Sequence, residues 1–197
     1  MLKIFRFKNI ANLITMLRII LVPLIITLLF FSKSDENIRW TAWTLLQIAN
    51  ASDFIDGYVA RLLKIKSKFG RIFDPIADKL AVISVLLMLV YNHGLSIVGV
   101  IAVILILCRE IIVSGLREYM SKYTLKIKVS NIAKAKTFLQ MVAMSILIIT
   151  TGSNSNSFLG QYMGTIQIVG EFLLITSALI AIISAVQYFN LSMRKIL

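Results

Sequence analysis

Residues 53–78 read DFIDGYVARLLKIKSKFGRIFDPIAD, and the rest of the chain is organised around this stretch. It holds Asp53, Asp56, Asp74 and Asp78, four of the nine acidic residues in the protein, in surroundings that are otherwise largely apolar and basic. Successive residues of an α-helix lie about 100° apart, so Asp53, Asp56, Gly57, Ala60 and Arg61 share an arc of roughly 140°. Asp74 and Asp78, four apart, share one face of a second helix. The basic segment between them is short enough to let the two helices run antiparallel, which would let the four carboxylates converge. Carboxylates gathered in a poorly hydrated site repel one another and take up protons unless cations compensate them. Oxygen-only ligands suit Mg²⁺, Mn²⁺ or Ca²⁺ rather than zinc, and four formal negative charges match two divalent ions. A metal pair about 3.5–4 Å apart serves in-line displacement at phosphorus. The plainer alternative is that these aspartates solvate helix ends, with Asp-Gly and Asp-Pro marking turns. An EF-hand loop is excluded, because its alternating ligands and closing Glu are missing.

Composition bounds the remainder. The chain has 197 residues, 58% of them hydrophobic. With a mean hydropathy of +0.87 it is too apolar for an ordinary soluble domain and reads as one membrane domain over residues 1–197. Cys108 is the single cysteine, so no internal disulfide forms, and its apolar neighbours mark it as a small buried hydrophobe. Six apolar segments approach the roughly 20 residues that a bilayer requires. They run over Asn9–Phe31, Ile38–Leu62, Ile72–Tyr91, Leu95–Tyr119, Asn131–Thr151 and Met163–Leu191. The first has a long apolar run and no small-residue cleavage site after it, so it reads as a retained span rather than a signal peptide. Residues 1–8, MLKIFRFK, read as a short segment lying in the interface.

The net charge of +12 is unevenly distributed. Basic residues crowd the N-terminus, the second connection (Arg61, Lys64, Lys66, Lys68, Arg71), the fourth (Arg117, Lys122, Lys126, Lys128, Lys134, Lys136) and the C-terminus. The third and fifth connections have no Lys or Arg, and in the first Lys33 and Arg39 are offset by Asp35 and Glu36. The positive-inside rule then puts both termini and the even-numbered connections in the cytoplasm, as an even number of spans permits. Asp53 and Asp56 fall on the order of 8–12 Å before the basic end of their helix, inside the cytoplasmic half of the membrane. Hydrating them requires a polar cavity open to the cytoplasm. Basic residues at helix ends suit anionic headgroups and not a nucleic-acid backbone. Trp40 and Trp43 begin the second helix at the outer interface, where indoles are enriched, although plain apolar packing explains them equally well.

Further polar residues gather on the cytoplasmic side. Asn12, Thr15 and Arg18 recur at three-residue spacing; Arg109, Glu110, Ser114 and Arg117 span about half the circumference of the fourth helix. Lys134, Lys136, Thr137 and Gln140 open the fifth. Singly each fits snorkelling or interhelical hydrogen bonding; together they resemble an anion pocket. Gly57 and Ala60 remove bulk on the aspartate face, where a base or ribose could approach or a helix could pack. Pro75 falls in the first turns of the third helix, where a missing amide donor is tolerated.

The pattern Asp53-x2-Asp56-Gly57-x2-Ala60-Arg61-x8-Gly70-x3-Asp74-x3-Asp78 resembles, without gap or substitution, the signature of the CDP-alcohol phosphatidyltransferases. Its eight positions at fixed spacing make the resemblance specific. It extends to about Met144 and fades in the last helix; Ala11 stands before Asn12 where relatives often have proline. The flanks NLITMLRIILVP, GRIFDPIADKL and REIIVSGLRE are similar to members whose acceptor is sn-glycerol 3-phosphate.

The resemblance implies an all-α polytopic membrane fold and transfer of a phosphatidyl group from CDP-diacylglycerol to glycerol 3-phosphate, giving phosphatidylglycerophosphate and CMP. It implies that Asp53, Asp56, Asp74 and Asp78 hold two Mg²⁺ or Mn²⁺ ions and that Asp78 also accepts the proton. Gly57, Ala60, Arg61 and Ser67, with Asn12 and Thr15 nearby, would bind CDP-diacylglycerol. Arg109, Arg117, Lys134 and Lys136 are the candidates for the acceptor phosphate. A homodimer in the bacterial inner membrane is implied as well. Because the signature settles the donor and not the alcohol, synthesis of cardiolipin or of phosphatidylinositol phosphate is the nearest alternative. A divalent-cation transporter is the non-enzymatic one, and it leaves Gly57, Ala60 and Arg61 unexplained.

Overall fold

The computed structural model describes residues 2–33, 35–63, 68–92, 95–122, 131–151 and 160–196. Within these, the side chains of 2–15, 18, 53–63, 68–72, 74, 121–122, 131, 133, 160–161 and 194–196 lie outside the description. Six α-helices account for nearly all described residues: α1 (Leu2–Phe31), α2 (Glu36–Leu63), α3 (Lys68–Tyr91), α4 (Ile97–Lys122), α5 (Asn131–Thr150) and α6 (Gly160–Ile196). Each corresponds to one apolar segment foreseen from the sequence. Four begin earlier than hydropathy suggests, the first and third by four residues or more. The first is continuous from Leu2, so residues 2–8 are its opening turns and not a separate element. The third starts at Lys68, which puts Pro75 well inside the helix rather than in its first turns. There the ring removes the amide that would bond the carbonyl of residue 71.

The chain divides into two compact units, Met1–Met88 and Leu89–Leu197. In the first, α1 and α2 pack together. The buried positions Val22, Ile25 and Leu29 on α1 with Ser32 just past its end, and Arg39, Ala42, Leu46 and Ala49 on α2, advance by alternating steps of three and four. That spacing keeps a narrow stripe facing a neighbouring helix. Val22, Ile25 and Ile26 line one apolar crevice with Leu46 of α2 and Ala81, Ser84 and Val85 of α3, which brings the third helix onto this pair. Asp35 starts α2 as its N-cap: its Oδ1 accepts from the Asn37 amide at 2.7 Å.

The second unit packs α6 against both α4 and α5. Buried residues of α4 include Gly99, Ala102, Ile106, Arg109 and Val113; those of α6 include Gly170, Leu174, Ser177, Ala181, Ser184 and Tyr188. Both series step by three and four, and small residues on α6 permit close approach, as in membrane helix pairs. Ser96 bonds Glu171, and Arg109 bonds Ser184, both at a separation of 75 residues. A constant difference means that α4 and α6 run parallel. The helix between them, α5, runs the other way: Lys136 meets Glu110 on α4, while Ile146 and Leu147 meet Gly170 on α6.

Register between α4 and α6 is held at one end by a shared cap. The Oγ of Ser96 accepts from the Gly99 amide at 3.2 Å, while its own amide donates to Glu171 Oε1 at 3.0 Å and its hydroxyl donates to Oε2. In a capping box this second partner is the helix's own residue three positions on. Here that position is Gly99, and α6 supplies the carboxylate instead. A Cβ on Gly99 would stand 3.3 Å from Glu171 Oε2.

Residues 97–120 of α4 and 162–193 of α6 are long and apolar enough to cross a bilayer. Large hydrophobic side chains stay outside the seam: Ile97, Ile111, Ile168 and Phe172 are all exposed by two thirds or more. Such faces in water would drive association, and lipid is the medium that accommodates them. The molecule is an all-α membrane protein.

Candidate active site

The aspartate stretch lies on the two helices foreseen for it. Asp53, Asp56, Gly57, Ala60 and Arg61 all belong to unbroken α2, so the shared face that helical spacing requires is present in the backbone. Asp74 and Asp78 belong to α3. Asp78 is half-buried. The side chains of Asp53, Asp56, Asp74, Ala60, Arg61, Asn12 and Thr15 lie outside the described residues, as do Ser67 and the connection 64–67. Convergence of the four carboxylates therefore lies outside them too. Among the described residues no group of three or more His, Cys, Asp or Glu is placed to hold a metal. The residue types themselves fit hard divalent cations, since all four candidate donors are carboxylates carried by two successive helices.

The second unit assembles a cluster of buried charge from α4, α5 and α6. Arg109 occupies a seam position of α4 that Ile106 and Val113 occupy on either side. Its Nη1 donates to Glu110 Oε1 at 3.1 Å and its Nη2 donates to Ser184 Oγ at 3.0 Å. That serine in turn donates to the carbonyl of Ala181 at 2.8 Å. Lys136 of α5, also buried, donates to the same Glu110 Oε1. One carboxylate oxygen thus serves two cations on two helices, and a serine on a third receives the other terminal guanidinium nitrogen. Separating charges this deeply buried is costly: removing one partner of such a pair destabilises by about 3–5 kcal/mol.

The other two cations expected at an anion pocket are placed differently. Arg117, two turns beyond Arg109, is exposed; its Nη2 lies 3.3 Å from the Tyr188 hydroxyl, and its guanidinium carbon sits 5.5 Å from the centre of that ring. The aromatic face holds the cation without neutralising it. Lys134 is exposed on the first turn of α5. Of the four cations picked out by sequence, Arg109 and Lys136 are therefore bound internally, while Arg117 and Lys134 face outward.

Two contributors escaped the sequence reading. Ser184 and Tyr188 on α6 hold the arginines of α4, although the last helix is where motif resemblance fades. A signal was present, because Ser177, Ser184, Tyr188 and Ser192 recur at helical spacing on one face. Glu110 was grouped with the basic residues of an anion pocket; its partners make it their counter-ion.

The helical membrane fold, the aspartates on successive helices and the buried cations define a class of intramembrane enzymes acting on phosphate esters. The profile of the CDP-alcohol phosphatidyltransferases matches residues 8–183, nearly the whole chain, and the protein belongs to that family. The match runs well past Met144 into α6, farther than the motifs alone suggested. Relatives include a CDP-diacylglycerol–glycerol-3-phosphate 3-phosphatidyltransferase of Rickettsia typhi, 41% identical over 93% of this chain and 96% of its own length. Another of that name, from Haemophilus influenzae, is 32% identical over 96% of each chain.

Proposed function

We infer that this protein transfers the phosphatidyl group of CDP-diacylglycerol to sn-glycerol 3-phosphate, releasing CMP and forming phosphatidylglycerophosphate. The observation that carries the reading is the complete aspartate signature on α2 and α3 inside a chain-length match to relatives of that activity.

The acceptor hydroxyl oxygen bonds to the phosphorus bearing diacylglycerol, the bond from that phosphorus to CMP breaks, and Asp78 takes the hydroxyl proton. A base within hydrogen-bond reach contributes about 10²–10⁴-fold. Asp53, Asp56, Asp74 and Asp78 would hold two divalent cations, Mg²⁺ or Mn²⁺, which when bound supply charge neutralisation at the pyrophosphate and its leaving group. Gly57, Ala60, Arg61 and Ser67, with Asn12 and Thr15, bind the donor. No Ser, Cys or His in the sequence stands out as a covalent nucleophile, which favours a single displacement. The acceptor's phosphate is bound by Arg117 and Lys134, the outward-facing cations, with Arg109 and Lys136 behind them. Six spans, a cytoplasm-facing cavity and cytoplasmic termini complete the reading, supported by the alternation of basic connections, and a bacterial inner-membrane location and a homodimer go with it on the family resemblance alone.

CMP release by the purified protein is the direct test, with glycerol 3-phosphate, inositol phosphate and phosphatidylglycerol compared as acceptors, with and without EDTA. Release only with glycerol 3-phosphate, lost in EDTA and restored by Mg²⁺ or Mn²⁺, is expected; preference for another acceptor overturns the assignment. Within the same assay Arg117→Ala should raise KM for glycerol 3-phosphate by about tenfold or more, the scale of one lost charge-assisted contact. The KM for CDP-diacylglycerol should stay within about twofold.

A further inference from the structure

We propose that Glu110 is a positioning residue: a built-in counter-anion that holds Arg109 and Lys136 on one oxygen and limits the positive charge that the cluster presents to an anionic acceptor. The proposal rests on the reading that the acceptor carries a phosphate.

Its basis is the arrangement of charge in the second unit. Arg109 and Lys136 are both buried, and the oxygen that receives them is the same one. Two cations against one carboxylate leave a net charge of +1 in the cluster. The other acidic residues of this unit do not supply the balance: Glu118 is exposed on α4, and Glu171 is engaged by Ser96 thirteen residues away along the helix. At about 1.5 Å per residue that is roughly 20 Å from the cluster. An excess buried charge costs several kcal/mol unless an anion approaches it.

Unpaired polar atoms on the same two helices agree with this. Arg109 is only 8% exposed and Gln140, one turn beyond Lys136, only 2%, yet Nε of the first and Oε1 of the second have no partner among the described residues. Buried polar atoms left unpaired are rare, and a bound group would supply the missing partners. A phosphorylated alcohol offers both an oxygen to accept from the guanidinium and a hydroxyl to donate to the amide. Without Glu110 the cluster would carry +2, and any phosphate would be drawn in more strongly and held less selectively. With it, Lys136 is fixed against α4 and the surplus is a single charge.

This predicts opposite movements in binding and turnover, which a purely structural residue would not produce. The full-length protein in detergent, assayed by CMP release from CDP-diacylglycerol with glycerol 3-phosphate, gives kcat, both KM values and competitive inhibition by inorganic phosphate. Glu110→Gln keeps shape and removes charge. It should lower kcat by about tenfold or more, while the inhibition constant for inorganic phosphate tightens by about threefold or more. The KM for CDP-diacylglycerol should stay within about twofold. Glu110→Asp keeps the charge, so it should bind inorganic phosphate within about twofold of the wild type, and it is the variant to use if Glu110→Gln fails to fold. Unchanged or weakened phosphate inhibition in Glu110→Gln, or in Glu110→Asp the same tightening as in Glu110→Gln, would overturn the proposal. If the wild-type protein releases no CMP with glycerol 3-phosphate, the functional reading itself fails, and that result is separate from these.

Discussion

Asp78→Asn should lose about 10²–10⁴-fold in kcat while the protein still folds, the range expected when a positioned base is removed from a proton transfer. Asparagine keeps the size and planarity of the side chain, and Asp78 is half-buried on continuous α3, so the substitution removes chemistry and leaves the helix intact. A thermal midpoint within a few degrees of wild type would confirm that. Metal titration then separates its two roles. If Asp78 acts only as a ligand, raising Mg²⁺ or Mn²⁺ should recover much of the lost rate by mass action. If it also accepts the proton, saturating metal leaves the deficit in place. Wild-type kcat in the variant would remove Asp78 from the reaction altogether.

Gly170→Leu should destabilise the second unit more than any single substitution in its exposed faces. A Cβ placed at Gly170 already falls 2.9 Å from Ile146 Cγ2 and 3.0 Å from Leu147 Cγ, closer than packed carbon atoms tolerate. The obstruction is stiff, because Ile146 is β-branched and Leu147 is fully buried. Overpacking of this kind costs about 1–3 kcal/mol, and a leucine must also find room for three further carbons. The effect should reach beyond stability. Gly170 adjoins Glu171, whose carboxylate anchors the start of α4, and α5 carries Lys136 toward Glu110. Pushing α5 from α6 therefore disturbs the cation cluster, and KM for glycerol 3-phosphate should rise together with the fall in thermal midpoint. Leu147→Ala in the same chain frees volume at the contact and should recover part of both losses, since neighbouring substitutions do not add. Equal damage from Gly170→Leu with and without Leu147→Ala would mean that the close approach is not what Gly170 provides.

Much of this protein follows from local order in the chain. The six helices are legible because each is an apolar run of bilayer length set off by charged or polar connections, and hydropathy is a property of neighbouring residues. The family is legible because eight positions in residues 53–78 recur at fixed spacing, and fixed spacing on a helix is fixed geometry. Helix starts are less legible where residues of mixed polarity precede the apolar run: residues 2–8 and 68–71 belong to their helices whatever their hydropathy, and Gly70 does not interrupt the second of these.

What tertiary structure alone decided is how the charges are shared. Arg109, Arg117, Lys134 and Lys136 look alike in sequence, each a cation set into a largely apolar helix. Only the packing of α4, α5 and α6 distinguishes the two bound to Glu110 from the two turned outward. The partners that settle it, Ser184 and Tyr188, stand 75 and 71 residues from their arginines. No local periodicity spans such a distance. The register of the two parallel helices comes instead from the cap shared by Ser96 and Glu171 and the seam of small residues between them, while Gly170 lets α5 approach α6, and together these make a lone carboxylate the counter-ion of two cations.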